Sequence, residues 1–214
     1  MAPVDIQRDV PLAPLTTLEL GGAARFFVRV ADEPALAEAL RWGRERGLPV
    51  AILGGGSNTI VPDAGYPGLV VQMALGALDL DDDGVLRAGA GVPWERVVDL
   101  AVESDCAGVE CLTGIPGSTG ATPIQNVGAY GQEVADVIER VRVLDRDSLG
   151  VHELRAADCE FSYRNSRFKR EPGRFVVTEV RFRLRHGGAP TVRYAELERI
   201  VDERASLQEV RISV

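Results

Sequence analysis

The chain has 214 residues, 45% of them hydrophobic and 26% charged, with a formal net charge of −8. That size and mix suit a folded protein with a sizeable core, built as one large domain or two small ones. The negative balance argues against general nucleic-acid binding, which needs a basic face, but allows an anionic small molecule at a locally positive site.

The first residues, Met-Ala-Pro-Val-Asp, carry neither the basic start nor the apolar core of a signal peptide. No run approaches the ~18 apolar residues of a membrane span. A cytoplasmic chain with no membrane partner is the expectation. Residues 25–30 read as a strand. Asp32 caps a helix supported by Pro34 and by the Leu36/Leu40 spacing, with Gly47 as its stop. Residues 49–53 read as a short buried strand running into Gly54-Gly55-Gly56-Ser57-Asn58, and another strand follows at Leu69–Gln72. This β-α-β order suggests a small α/β unit.

A change of pattern follows. Residues 77–90 read as a hairpin around Asp81-Asp82-Asp83-Gly84, a turn rather than a metal site. Pro93 opens a helix from Trp94 to Ser104 whose apolar face is Val97, Val98, Ala101 and Val102. Strands are expected at Glu139–Asp145 and Phe175–Arg185, so this half reads as α+β. Near the end, Ser206-Leu207-Gln208-Glu209 has the pattern of a helix capping box, with only five residues after it. An isolated helix that short is marginal, and the expectation is an element begun but not finished. Cys106, Cys111 and Cys159 lack metal-ligand spacing and read as buried, reduced thiols. His152 and His186 read as surface residues, and nothing reads as a metal site.

Two glycine-rich segments carry the chemistry. Gly114 to Gly131 packs five glycines and two prolines among Ser, Thr, Gln and Asn. Glycine lets backbone approach a ligand closely, and free N–H groups suit a phosphate-bearing cofactor. Gly54–Asn58 offers consecutive donors after a strand, but it lacks a Rossmann fingerprint and the lysine of a phosphate-binding loop. Two such loops in one small chain favour one extended ligand, such as a dinucleotide. A third segment, Tyr163-Arg164-Asn165-Ser166-Arg167-Phe168-Lys169, gathers three cations in an acidic chain. The Arg164 fork suits a carboxylate or phosphate.

In order along the chain, Leu18-Glu19-Leu20-Gly21-Gly22, Leu53 to Asn58, Gly114 to Gly131 and Tyr163 to Lys169 resemble the UDP-N-acetylenolpyruvoylglucosamine reductase (MurB) family of peptidoglycan synthesis. The resemblance implies an α+β fold: the two-subdomain FAD-binding fold of the vanillyl-alcohol-oxidase / p-cresol-methylhydroxylase type. It divides the chain into 1–75 and 76–190 as FAD-binding subdomains and 191–214 as the start of a substrate-binding domain. It implies FAD held by Gly54, Gly55, Gly56, Ser57, Asn58, Gly117, Ser118, Gly120, Ala121, Gln125, Asn126 and Gly128. NADPH is implied as hydride donor and a nucleotide sugar, UDP-N-acetylglucosamine enolpyruvate, as the substrate reduced by a monomer.

By the same resemblance Arg164 is the catalytic arginine beside the developing enolate, and Tyr163 lines that site. Tyr130, Tyr194 and Lys169 contact substrate. The family's Gly-Ser-Phe-Phe-x-Asn-Pro motif, whose serine is the general acid, is absent from these 214 residues. The expectation is therefore a chain cut short or a degenerate paralogue, with apolar surface left exposed on the first subdomain. A flavin-binding module without turnover is the alternative. An FAD-dependent sugar or alcohol oxidase is a further one, against which Ser-Tyr-Arg-Asn-Ser and Ile124-Gln125-Asn126 argue.

Overall fold

The computed structural model describes residues 4–202 and 204–214. The chain opens with β1 (Gln7–Pro11), β2 (Ala23–Val30), helix α1 (Glu33–Glu45), β3 (Val50–Leu53) and β4 (Tyr66–Met73). These four strands form a sheet in the order β1-β2-β4-β3, with β2 and β3 parallel to β4 and β1 antiparallel to β2. Asp32 starts α1 by accepting the Ala35 N–H at 2.8 Å. Leu36, Ala39, Leu40 and Gly43 form the helix's buried stripe, at the spacing that puts one face on a sheet. The segment read as a buried strand is instead an edge strand: Leu53 is buried but Ile52 is exposed. It has a neighbour on one side only, so one rim stays open.

The second sheet is antiparallel throughout. Its chain runs β5 (Leu78–Leu80), β6 (Val85–Gly89), α2 (Trp94–Glu103), β7 (Cys106–Ala107), the short pair β8 (Gly128–Ala129) and β9 (Gln132–Glu133), then β10 (Ile138–Asp145) and β11 (Val151–Arg155). α3 (Arg167–Arg170) and β12 (Phe175–Arg183) follow, then β13 (Arg185–His186), α4 (Ala195–Ile200) and α5 (Leu207–Ser213). The five-stranded order is β11-β10-β12-β6-β5. The Asp81 turn forms as read, its carboxylate accepting the N–H groups of Asp83 (3.2 Å) and Val85 (2.8 Å). The strand read as Phe175–Arg185 breaks at Leu184. Arg185 and His186 leave the sheet and pair with Cys106 and Ala107.

Central strand β12 is buried on both faces near its start, where Val176 and Val177 point to opposite sides. Val177, Val180 and Phe182 pack with α2, where Trp94 donates its indole N–H to Leu112 O at 2.8 Å. Val176 packs with Leu36, Leu40 and Met73 of the first unit, so the two sheets share a core. A polar bridge reinforces the junction. Glu33, at the start of α1, takes the Arg142 fork at 2.7 and 2.9 Å and the Thr178 hydroxyl at 2.7 Å.

The last helix is packed against the rest of the chain. The capping box forms, with the Ser206 N–H donating to Glu209 at 2.8 Å and the Glu209 N–H to Ser206 Oγ at 3.2 Å. Helix α5 is short but not isolated. Leu207 enters the main core, and Val210 packs with Cys111, Leu197 and Ala205. Leu18, Leu20 and Ile60 of the first unit are large apolar side chains left exposed. Among the described residues no helix is long and apolar enough to cross a membrane.

Candidate functional site

Between the two sheets lies a cleft of about 290 Å³. Its rim begins where parallel strand β3 ends: Leu53 leads into Gly54–Asn58, outside the carboxyl end of the strand, where α/β sheets bind ligands. The opposite wall is Ile115 to Ser118 with Gly120 and Ala121, and the floor is Val176 and Val177 of β12 with Ala90 and Met73. Trp94, at the start of α2, completes the apolar lining.

The two glycine-rich segments are in direct contact. A Cβ on Gly55 would stand 3.2 Å from Gly117 Cα and 3.4 Å from Ser118 N, so only a residue without one lets the loops meet unshifted. Gly56 adopts φ +72°, and a Cβ there would overlap Leu15 O. Ser57 donates its hydroxyl to Pro116 O at 3.3 Å, and the Trp94 N–H holds Gly117 O at 3.0 Å. Among the described residues, the N–H groups of Gly55, Gly56, Ser57, Asn58, Gly117 and Ser118 have no acceptor. Such a set of backbone donors over an apolar floor can hold an anionic group joined to a flat aromatic one.

Ten of the twelve predicted cofactor residues line this cleft: Gly54, Gly55, Gly56, Ser57, Asn58, Gly117, Ser118, Gly120, Ala121 and Gln125. Asn126 and Gly128 do not. The Asn126 side chain is buried and used by the protein, donating to Glu133 (2.6 Å) and Ser162 O (3.2 Å) and accepting from the Ala135 N–H (3.1 Å). That bond to Ser162 O ties the cleft loop to the next element.

Ser162 and Asn165 pair in a tight hairpin, N–H to O at 3.1 and 3.0 Å, with Tyr163 and Arg164 at its tip. Ser166 anchors its far end by donating to Ile124 O at 2.5 Å. Arg164 sits at φ +53°, a left-handed conformation uncommon for a long side chain. Its guanidinium is exposed and has no partner among the described residues. Arg167 differs: its Nε pairs with Glu171 at 2.7 Å and it covers the Phe175 ring. Lys169 donates to Arg164 O at 3.0 Å and so buttresses the hairpin. Tyr130, at φ +48°, meets Tyr194 edge-on with ring centroids 5.5 Å apart. The Glu196 carboxylate beside Tyr194 raises its phenol pKa.

Sequence reasoning missed Ile52, Ala90, Trp94, Val176 and Val177 as lining residues. Nothing local distinguishes them, because each reads as ordinary core or strand. The edge position of β3 was the one feature that separated Ile52 from a core residue.

A family model described as "FAD binding domain" matches residues 24–152. The chain belongs to this family. FAD is the family's cofactor, and the cleft fits it: the loops leave a cradle that a Cβ would fill, and unpaired N–H donors line it. The chain is 46% identical to a UDP-N-acetylenolpyruvoylglucosamine reductase of Streptomyces coelicolor over 96% of its own length and 54% of that protein. It is also 46% identical to the reductase of Salinispora arenicola, over 95% of itself and 58% of that protein. The chain thus spans about half the length of the curated relatives it matches.

Among solved structures, the crystal structure of the Thermus caldophilus reductase (MurB) superposes with a TM-score of 0.72 at 30% identity, covering 86% of this chain and 64% of that one. A 6-hydroxy-D-nicotine oxidase from Arthrobacter nicotinovorans superposes with a TM-score of 0.59 at 22% identity, over 76% of this chain and 36% of the oxidase. That second likeness speaks for the fold alone. The fold is the α+β, two-subdomain FAD-binding fold of the vanillyl-alcohol-oxidase type.

Proposed function

We propose that this chain is the flavin-binding part of an NADPH-driven reductase that converts UDP-N-acetylglucosamine enolpyruvate to UDP-N-acetylmuramate in peptidoglycan synthesis. The observation that carries the reading is the unpartnered Arg164 guanidinium, held on a hairpin that Asn126 and Ser166 tie to the cleft loop. The likeness to reductases over nearly the whole chain supports it. In this reading 1–75 and 76–190 are the two flavin-binding subdomains, and 191–214 begins a substrate-binding domain. The protein acts as a monomer in the cytoplasm.

Bound FAD would supply hydride transfer between NADPH and the enolpyruvyl group. Gly54 to Asn58, with Gly117, Ser118, Gly120, Ala121 and Gln125, would hold the cofactor, the first loop through its backbone N–H groups. Arg164 would stabilise negative charge developing beside the substrate carboxylate, a role in which one donor contributes about 2.7–4 kcal/mol. Tyr163 would line that site. Tyr130 and Tyr194 would pack against the nucleotide sugar, and Lys169 would keep the Arg164 hairpin in shape through its bond to Arg164 O.

These 214 residues hold no Gly-Ser-Phe-Phe-x-Asn-Pro motif, so the proton donor of this reading lies outside them. Purified residues 1–214 are therefore expected to carry FAD, seen as flavin absorbance that co-elutes with protein, and to reduce the enolpyruvyl substrate poorly. Near-normal turnover would overturn this division of labour, and failure to bind FAD would overturn the flavin reading. A flavin-binding module without turnover is the second reading. It is separated by joining residues 1–214 to the remaining half of a relative such as the Streptomyces coelicolor reductase: recovered turnover supports the reductase.

A further inference from the structure

Helix α5 connects to the cleft loop through the Arg211 and Glu95 side chains. Arg211 donates from Nη2 to Glu95 Oε1 at 2.8 Å and from Nε to Thr113 Oγ1 at 3.3 Å, and it also pairs with Asp99. Glu95 then accepts the Thr113 hydroxyl at 2.8 Å and, through its other oxygen, the Gly114 N–H at 2.8 Å. Gly114 opens the glycine-rich loop. The next two residues, Ile115 and Pro116, are already cleft wall.

The first turn of α2 therefore holds that turn of the loop at both ends. Glu95 grips Gly114 N–H, and the neighbouring Trp94 N–H grips Gly117 O at 3.0 Å. Trp94 is fixed by burial, but Glu95 is a flexible side chain 41% exposed, and an exposed carboxylate samples several rotamers unless something holds it. Arg211 and the Thr113 hydroxyl both hold it, and Arg211, which also reaches Thr113 Oγ1, is only 20% exposed. Its planar fork reaches Glu95, Asp99 and Thr113 at once, which a lysine ammonium does with less geometric control.

We propose that Arg211 is a positioning residue of the flavin site, acting through Glu95 to set where the Gly114–Gly117 turn stands. The inference rests on the flavin reading of the cleft. It makes α5 part of the cofactor site although no residue of α5 lines the cleft. Leu207 and Val210 dock α5 independently of Arg211, so the role can be separated from folding of the helix.

The test follows FAD release from holoprotein after dilution, read as recovery of free flavin fluorescence. It uses the unaltered chain, Arg211→Met, Arg211→Lys, Glu95→Gln and the double variant Arg211→Met/Glu95→Gln. Arg211→Met and Glu95→Gln should each speed release about tenfold. The double variant should release FAD no faster than Glu95→Gln, because one residue acts through the other. Arg211→Lys should recover part of the loss.

Release from Arg211→Met at the unaltered rate overturns the proposal. Losses that multiply in the double variant overturn it too, since they mark Arg211 as a strut independent of Glu95. If Arg211→Met loses its far-UV circular dichroism, Arg211→Lys carries the test. An intermediate release rate then supports the proposal and an unaltered one overturns it. An unaltered chain that retains no FAD overturns the flavin reading itself, a result no variant can mimic.

Discussion

Gly55 and Gly117 meet backbone to backbone across the cleft, close enough that a Cβ on Gly55 would lie 3.2 Å from Gly117 Cα. Gly55→Ala should therefore force the two loops apart by a few tenths of an ångström. The expected loss is about 1–2 kcal/mol of FAD binding, in the range seen for overpacking. Gly47→Ala is the control. Gly47 is at φ +60° with nothing within 4 Å of a Cβ, so it should cost stability but leave FAD affinity alone. Equal FAD titration curves for Gly55→Ala and the unaltered chain would separate the contact from cofactor binding.

Arg164→Ala removes an exposed guanidinium that makes no hydrogen bond or ion pair among the described residues. FAD affinity and the melting temperature should stay close to those of the unaltered chain. In a reductase that includes the substrate half, substrate reduction should slow by about 10²–10³ while flavin reduction by NADPH continues, as for loss of one charge-stabilising donor. Stopped-flow absorbance separates the two half-reactions. Equal slowing of both would remove Arg164 from the substrate step.

Glu33→Gln tests the bridge between the sheets. The Arg142 fork beside Glu33 is the largest influence on its carboxyl. Together with the Thr178 hydroxyl it outweighs burial and holds the pKa below the ordinary value. A depressed carboxylate pKa stabilises the fold above the unfolded value of about 4.3, and that stability is lost as pH falls through the folded one. Urea unfolding should show the variant about 1–2 kcal/mol weaker at pH 7, with the gap narrowing below about pH 4. A gap that persists unchanged at pH 3 would mean the charge contributes nothing.

The three thiols should be silent in the native protein. Burial pushes Cys111 and Cys159 up to about 12 and raises Cys106 as well, so little thiolate exists at pH 8. A thiol reagent should label none of the three in minutes and all of them in denaturant. Rapid labelling of any one in the folded chain would contradict its burial.

Local chemistry made much of this fold legible beforehand. The Asp32 cap, the Asp81 turn and the Ser206 capping box are contacts within four residues, and each formed where it was read, as did the helix that follows Pro93. The short helices α3 and α4 and the two-residue strands β7, β8 and β9 escaped, and so did the polar edge strands. β1 and β11 are mostly exposed along their length, so neither shows the alternation of a strand with one buried face. β13 escaped for another reason. Arg185 and His186 continue β12 in sequence, but they pair with Cys106 and Ala107 about 80 positions earlier.

The glycine-rich segments by themselves determined where backbone can come close to a ligand and favoured a phosphate-bearing cofactor, because close backbone approach needs glycine whatever the surroundings. Only the tertiary structure decided which residues share the site. It put Val176 and Val177 under the loops, turned Asn126 inward to hold the Arg164 hairpin, and brought Arg211 from the last helix to the start of the Gly114–Gly131 loop. Those placements depend on how two sheets pack and where a terminal helix docks. The energies responsible are summed over contacts far apart in sequence, and no short window of residues contains them.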